Sequence, residues 1–488
     1  MSVGAAVNIR MIIKFMGILL MLLVPFMVMA GAVSLYYNEH VAFRAILFSC
    51  LITIGVGIIM FFAALRHDHR NIGRKEGYII VTLAWVFISL FGALPLFLYN
   101  EATTFTDAFF ETMSGFTTTG ATILTDIEAL SKGILFWRSL TNWIGGMGII
   151  ILTLAILPIL GVGGMQLFVA EAPGTTPMRL HPRITETAKR LWGIYIIFTL
   201  LQTSLHMLGG LSLFDSITHA FSTMATGGFS PKNDSIAGFS AFNQYVVVLF
   251  MILAGTNFSL PYFILKGQIN KVAKNDELRF YLIIIGLFTA IISLGLFLYG
   301  PIEFERAFRN SLFQVVSIVT TTGFITDDYE AWPGILLFLI FLLMFAGGCM
   351  GSTAGGIKMI RHLVLFKNIQ LEFKRHVHPL AVIPVKVNGK TIPADVIHSF
   401  LAFFIIYLLT FSAGSAVLTL LGLDFESAIG ASVAALGNIG PGIGSVGPID
   451  NYAHVPIAGK WVLSFLMLLG RLELFTVLLL LSPAFYRK

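Results

Sequence analysis

The chain has 488 residues, of which 57% are hydrophobic and 11% charged, against about 25% charged in a soluble globular protein. So few charges cannot clothe a water-facing surface, which excludes a soluble enzyme, and such high hydrophobicity excludes a disordered chain. The net charge of +6 comes with no basic run interleaved with aromatics, so nucleic acid is excluded as a partner and a lipid-embedded protein remains.

Arg10 and Lys14 ahead of an apolar run at 15–35 have the outline of a signal peptide. The run is too long and no small-residue cleavage site follows, so it reads as a retained first span. A spanning helix needs ~20 mostly apolar residues. Ten runs qualify: 12–35, 42–64, 77–99, 134–160, 191–213, 242–265, 280–299, 334–349 with an extension, 397–421 and 461–481. The two cysteines, Cys50 and Cys349, lie inside such runs and read as buried packing residues. An even number of spans puts both termini on one side. With that side cytoplasmic, 23 of the 31 Lys and Arg face inward, seven face outward, and Arg471 lies within the last span. The inner side then carries +15 and the outer side −9, an excess of acid that concentrates cations at the outer mouth.

After the first two spans the remaining eight pair up, and each pair encloses a shorter segment ending at a glycine: Gly120, Gly228, Gly323 and Gly440. The preceding triplets are Thr117-Thr118-Thr119, Ala225-Thr226-Gly227, Thr320-Thr321-Thr322 and Gly437-Asn438-Ile439. Thirteen positions before each glycine stand Asp107, Asp215, Asn310 and Ser427, expected helix N-caps, and six before stand Ser114, Ser222, Ser317 and Ala434. A capped helix of ~8–9 residues rises ~12–14 Å, about half of a ~30 Å hydrocarbon core. Irregular backbone at that depth is tolerated where it lines a watery cavity or is buried in protein. Four such re-entrant loops around one axis make a pore. Each short helix then turns its partly negative C-terminal end toward the centre, favouring a cation, and free carbonyls replace the ion's water. Four outer hairpins with turn glycines are the plainer alternative, against which the four-fold register tells.

The return run of the third pair contains Gly347, Gly348, Gly351, Gly355 and Gly356 among the eleven residues 346–356. Each glycine costs a helix about 1 kcal/mol relative to alanine, so the backbone is predicted to unwind in mid-membrane, beneath the filter. Close helix packing through small residues needs fewer glycines. Arg471, with Glu473 two residues on, lies within the last span, where a charge is expected to face an interior or a cavity; a structural ion pair or hydrogen bonds to loop carbonyls is the plainer reading of it. Lys358 is expected at the cytosolic boundary. Three inner loops, 163–190, 266–279 and 358–394, are polar enough to dock a partner, or simply contact anionic lipid. His376 and His378 read as surface residues. No nucleotide-binding or acid–base motif with a supporting context occurs, so no enzyme activity is expected.

The glycine-centred motifs, together with Phe229, Phe324 and Pro441 just after them, make the chain resemble the Trk/Ktr/HKT superfamily of potassium transporters. Its TrkH/TrkG branch is the most similar, because the extra N-terminal pair of spans is absent from KtrB. The resemblance covers nearly the whole chain. It implies an all-α polytopic membrane protein with ten transmembrane helices: an N-terminal pair (1–73) and four helix–pore-loop–helix repeats (74–165, 166–270, 271–393 and 394–488). It further implies a homodimer with one pore per subunit, a cytosolic TrkA-type ring of nucleotide-binding domains, and potassium uptake across the bacterial inner membrane with both termini cytoplasmic. K+ is the bound substrate at the filter carbonyls, and no organic cofactor is expected; residues 346–356 match the family's intramembrane gating loop, and Arg471 resembles its basic residue that faces this loop from the fourth repeat, where a cation raises a barrier to cation passage. In the plant sodium branch a serine can replace the first filter glycine; here it is Gly120, which argues for potassium. The fourth loop departs most, since Gly437-Asn438-Ile439 lacks threonines. Two other readings stay open: a sodium-permeable member, and a secondary carrier for an organic solute, whose repeats are usually inverted rather than parallel as here.

Overall fold

Most of the longest helices are largely apolar around their circumference, and the structure sorts their faces by what they touch. The computed structural model describes residues 7–64, 74–99, 103–148, 184–300, 302–379, 381 and 383–486. In chain order its helices are α1 (Ile9–Tyr36), α2 (His40–Ala63), α3 (Arg74–Gly92), α4 (Leu94–Tyr99), α5 (Phe105–Phe116), α6 (Lys132–Gly146), α7 (Ile184–Leu208) and α8 (Leu213–Ala225). They continue with α9 (Ala241–Ala254), α10 (Ser259–Leu265), α11 (Ile269–Ala273), α12 (Asp276–Tyr299), α13 (Phe304–Val319), α14 (Gly334–Leu343) and α15 (Met359–Val377). A small hairpin, β1 (Lys386–Val387) and β2 (Lys390–Thr391), precedes α16 (Ala394–Leu420), α17 (Phe425–Gly437), α18 (Ile457–Arg471), α19 (Phe475–Leu481) and α20 (Pro483–Tyr486).

Among the described residues six helical stretches are long and apolar enough to cross a membrane: α1, α2, α3 with α4, α7, α12 and α16. The pair α18 and α19, bent by 119°, makes a seventh if taken as one span. The other expected spans differ from unbroken helices. The run 242–265 is interrupted between α9 and α10, and the run 334–349 stops being helical after Leu343. Residues 149–160 of the fourth run lie outside the described residues. So do most of the 163–190 loop, the expected boundary at 165, and Arg66, Arg70, Arg179, Arg183, Arg487 and Lys488 of the charge census.

Helix α12 shows how the faces divide. Tyr281, Ile285, Ile292 and Leu296 are buried at helical spacing, whereas Ile283, Leu287, Leu294 and Leu298 are exposed. An exposed stripe of this kind suits hydrocarbon. Lipid is as apolar as leucine, so it offers no hydrophobic drive for one helix to leave it for another; close packing and polar bonds must hold the bundle. Gly17 and Gly57 supply one close approach: a Cβ on Gly17 would lie 2.7 Å from the Gly57 carbonyl oxygen, so α1 and α2 touch backbone to backbone. The hairpin tip then fastens the pair to the rest. Glu39 accepts from the backbone N–H of Lys132 at 2.7 Å and of Gly133 at 3.0 Å, satisfying orphan donors at the N-terminus of α6.

The short helices α5, α8, α13 and α17 occupy the interior. Phe110 and Phe116 of α5, and Phe313, Val316 and Val319 of α13, are wholly buried. They are 12 to 16 residues long, longer than expected, because they begin earlier. Their N-caps are Thr104, Ser212, Glu303 and Asp424, which corrects the expected Asp107, Asp215, Asn310 and Ser427. The Thr104 hydroxyl accepts from the Asp107 N–H at 3.2 Å and donates to the Asp107 carboxylate at 2.7 Å; Ser212 and Asp215 repeat the arrangement. The acidic residue thus sits one turn in, where the helix dipole also favours it.

The described residues of the 358–394 segment form a subassembly with the start of α16. Val364, Val385, Val387 and Phe400 form a small core, and Asp276 at the start of α12 binds Asn388 through both backbone N–H groups and side chains, at 2.7 and 2.9 Å. Lys367 donates to Asp276 at 2.8 Å. His376 and His378 are exposed, and Cys50 and Cys349 are buried free thiols.

Candidate functional site: a ring of four loops

Each short helix ends in the same way. The N–H of Thr119, Gly227, Thr322 and Ile439 returns to the carbonyl of Ser114, Ser222, Ser317 and Ala434 at 2.8–2.9 Å. The preceding N–H, of Thr118, Thr226, Thr321 and Asn438, returns to Gly115, Thr223, Ile318 and Ala435 at 2.9–3.2 Å. This is the Schellman closure, which needs a left-handed residue. That residue is Thr118 (φ +56°), Thr226 (+52°), Thr321 (+54°) or Asn438 (+53°). Three β-branched residues in this conformation store strain, of order 1–3 kcal/mol each, that the surroundings must hold.

Two residues further, Gly120 (φ +85°), Gly228 (+71°), Gly323 (+76°) and Gly440 (+101°) are left-handed too. Their neighbours reveal the arrangement. A Cβ on Gly120 would lie 2.6 Å from the Gly227 oxygen, on Gly228 2.1 Å from the Thr322 oxygen, on Gly323 1.9 Å from the Ile439 oxygen, and on Gly440 2.6 Å from the Thr119 oxygen. The order closes on itself, first loop to second, third, fourth and back to first. Four loops therefore form a ring, each glycine against the preceding carbonyl of the next loop. A cavity of about 180 Å³ opens onto all four glycines. The helix C-termini feed the ring, so their partial negative charges converge there.

Residues 346–356 are not helical, as the five glycines predict, and the break extends from Met344 to Lys358. Its backbone is satisfied by a second break. Cys349 N–H donates to the Gly255 carbonyl at 2.8 Å and Phe258 N–H to the Gly351 carbonyl at 3.0 Å, so the interruption between α9 and α10 completes the one after α14. Glu277 accepts from the Met350 N–H at 2.7 Å. The loop also reaches the ring: Gly355 N–H donates to the Thr321 hydroxyl at 2.7 Å, and the Thr226 hydroxyl donates to that of Thr353 at 3.3 Å. These contacts hold two of the strained threonines from below.

Arg471 completes the set. Its Nη1 donates to the Thr118 hydroxyl at 3.1 Å and the Thr353 carbonyl at 2.8 Å; its Nη2 donates to the carbonyls of Gly145 at 2.5 Å and Gly146 at 3.0 Å. A cation thus lies against the first loop's left-handed residue, the broken segment and the end of α6. Two expectations change. Glu473 pairs with Arg361, itself stacked 3.9 Å over Phe403, rather than with Arg471. Lys358 is buried, its ammonium donating to the Ala354 carbonyl inside the broken segment, so it does not mark a cytosolic surface.

Several residues of the site carry no motif: Glu111, Arg138, Glu277, Thr353 and Tyr452. Arg138 and Glu111 form an ion pair at 2.6 Å, only 6% and 2% exposed. Their signal in the sequence is charge within an otherwise apolar stretch, hidden because both fall close enough to the outer boundary to count as mouth charges.

The model of the TrkH family, described as a cation transport protein, matches residues 49–486. The chain belongs to the TrkH family. It is 39% identical to the Trk system potassium uptake protein TrkH of Halomonas elongata over 99% of this chain and 100% of the relative. It is 40% identical to TrkH of Escherichia coli K12, over 98% and 99%, and 34% identical to TrkG of that strain over the same shares. The crystal structure of the potassium transporter TrkH from Vibrio parahaemolyticus superposes with a TM-score of 0.88 at 38% identity, covering 98% of this chain and 100% of that one. The TrkH-family members matched are transport proteins rather than enzymes.

Proposed function

We propose that this chain takes up K+ across the bacterial inner membrane through a channel-like pore whose filter is the four-loop ring. The cyclic contact of Gly120, Gly228, Gly323 and Gly440 carries the reading, because it sets four loops and their backbone carbonyls around one opening. The names of the TrkH relatives support potassium as the substrate. In this reading the chain has ten transmembrane helices, four helix–pore-loop–helix repeats after an N-terminal pair, and both termini in the cytoplasm. The repeats divide at 74–165, 166–270, 271–393 and 394–488. K+ is held by carbonyls of Thr117–Gly120, Ala225–Gly228, Thr320–Gly323 and Gly437–Gly440. The chain works as a homodimer, and a cytosolic TrkA-type nucleotide-binding ring gates it, docking on inner surfaces such as the α15–hairpin subassembly. Expression in a strain lacking potassium uptake should restore growth on low potassium. Failure to do so, with uptake of an organic solute or of sodium alone, would discard the reading.

Residues 346–356 with Arg471 are the proposed gate. A Cβ on Gly347 would lie 2.4 Å from the Gly355 oxygen, and Gly351 has φ +76°, so neither accepts alanine in the present conformation. The double variant Gly347→Ala/Gly351→Ala should shift open probability at least about threefold, about 0.7 kcal/mol between two states. Single-channel recording reads the shift; unchanged open probability would remove the gating role.

A further inference from the structure

Nine positions before the ring glycines the four short helices carry Glu111, His219, Gln314 and Ala431. The first three are buried and reach the strand that follows the glycine of their own loop. Glu111 accepts from the Ile123 N–H and the Thr122 hydroxyl, both at 2.9 Å. His219 Nε2 lies 3.0 Å from the Ser230 hydroxyl, and Gln314 donates to the Asp327 carbonyl at 3.2 Å. Alanine cannot do this in the fourth loop, and tyrosines from elsewhere replace it. The Tyr452 hydroxyl donates to the Gly440 carbonyl at 2.8 Å and the Tyr329 hydroxyl to the Gly442 carbonyl at 2.6 Å. Every outer limb of the ring therefore has a polar brace behind it.

The first brace is charged and reaches further than its own loop. Arg138 donates through Nε to Glu111 at 2.6 Å and through Nη1 to the Ser230 carbonyl of the second loop at 2.8 Å. Its guanidinium lies 3.7 Å from the centre of the Phe229 ring, next to Gly228. The fourth loop joins through the Tyr452 N–H, which donates to the Thr122 carbonyl at 2.8 Å. One ion pair thus spans the limbs after Gly120 and Gly228, and Thr122, which donates to Glu111, links the first limb to Tyr452, whose hydroxyl holds the Gly440 carbonyl.

We propose that Glu111 and Arg138 are positioning residues for ion selectivity, a buried brace that fixes the spacing of the first two filter loops. The pair contributes little to net stability, since two apolar residues of the same volume would avoid the desolvation it costs. What apolar residues cannot supply is the fork geometry that fixes two backbone strands relative to each other. Discrimination between cations differing by a few tenths of an ångström depends on that spacing.

The inference rests on the reading of the ring as a potassium filter, and bi-ionic reversal potentials of the full chain in membrane patches test both separately. A wild-type chain without preference for K+ over Na+ would contradict the filter reading itself. Given that preference, Glu111→Gln and Arg138→Gln should still conduct, with the K+/Na+ permeability ratio about tenfold lower. Arg138→Lys, which keeps the charge beside Glu111, should recover part of the ratio. The neutral pair Glu111→Gln/Arg138→Met leaves no uncompensated buried charge, so it reports even where a single variant fails to fold, and its ratio should also be low. A wild-type ratio in that double variant would overturn the proposal.

Discussion

Replacing Arg471 with alanine should raise cation flux at least about tenfold and make it less dependent on a regulatory partner. The guanidinium lies against Thr118 of the ring and Thr353 of the broken segment, directly below the proposed filter. A unit charge about 8 Å from a passing cation, at an effective dielectric constant of about 20, opposes it by about 2 kcal/mol. That corresponds to a factor of about 30 in rate. Arg471 is also a strut, with donor bonds to four groups, and the two roles separate by substitution. Arg471→Lys keeps the charge and loses most of the strut, so its flux should stay near wild type if the barrier is electrostatic. Rubidium uptake into cells measures both variants. Equal flux in wild type, alanine and lysine variants would remove the barrier role.

Gly323→Ala should abolish potassium uptake, by on the order of a hundredfold or more. Two independent obstacles meet at this residue. Its φ of +76° costs an L-residue roughly 1–2 kcal/mol, and its Cβ would lie 1.9 Å from the Ile439 carbonyl oxygen. That oxygen belongs to backbone buried in the ring, so relief requires the third and fourth loops to separate by about 1 Å. Misplacement of that size in a preorganised site costs about 10²-fold. Gly286, on the exposed face of α12 with nothing within 4 Å of an added Cβ, is the control; Gly286→Ala should leave uptake unchanged. Normal uptake by Gly323→Ala would show that the ring contact is not on the ion's path.

The parts of this molecule most legible in its sequence are those where the backbone itself is unusual. Glycines at Gly120, Gly228, Gly323 and Gly440 are required by left-handed angles and by a neighbouring carbonyl, so they recur whatever surrounds them. The glycine cluster at 346–356 is legible for the same reason: a helix cannot contain it. The N-caps lie one turn before Asp107, Asp215 and Ser427 but seven residues before Asn310; Asp107 and Asp215 suit both the cap and the first turn, and only the partner hydroxyls of Thr104 and Ser212 distinguish them. Hydropathy predicts unbroken helices over 242–265 and 461–481, because it registers apolar side chains and is blind to the interruptions at 255–258 and 472–474. Arg138 and Lys460 counted as outer surface charges, yet both are buried against Glu111 and Asp107, at 2.6 Å each. A charge census sees the side of the membrane a residue is near, whereas partners such as Glu111–Arg138 and Arg361–Glu473, 27 and 112 residues apart, are set by tertiary folding.

A crystal of the chain grown in rubidium and measured at the rubidium absorption edge tests the four-loop ring most directly as the ion site. The expected result is anomalous density on the axis of the ring, within about 3 Å of carbonyls from all four loops that end at Gly120, Gly228, Gly323 and Gly440. Density confined to other surfaces, with none at the ring, would contradict the account.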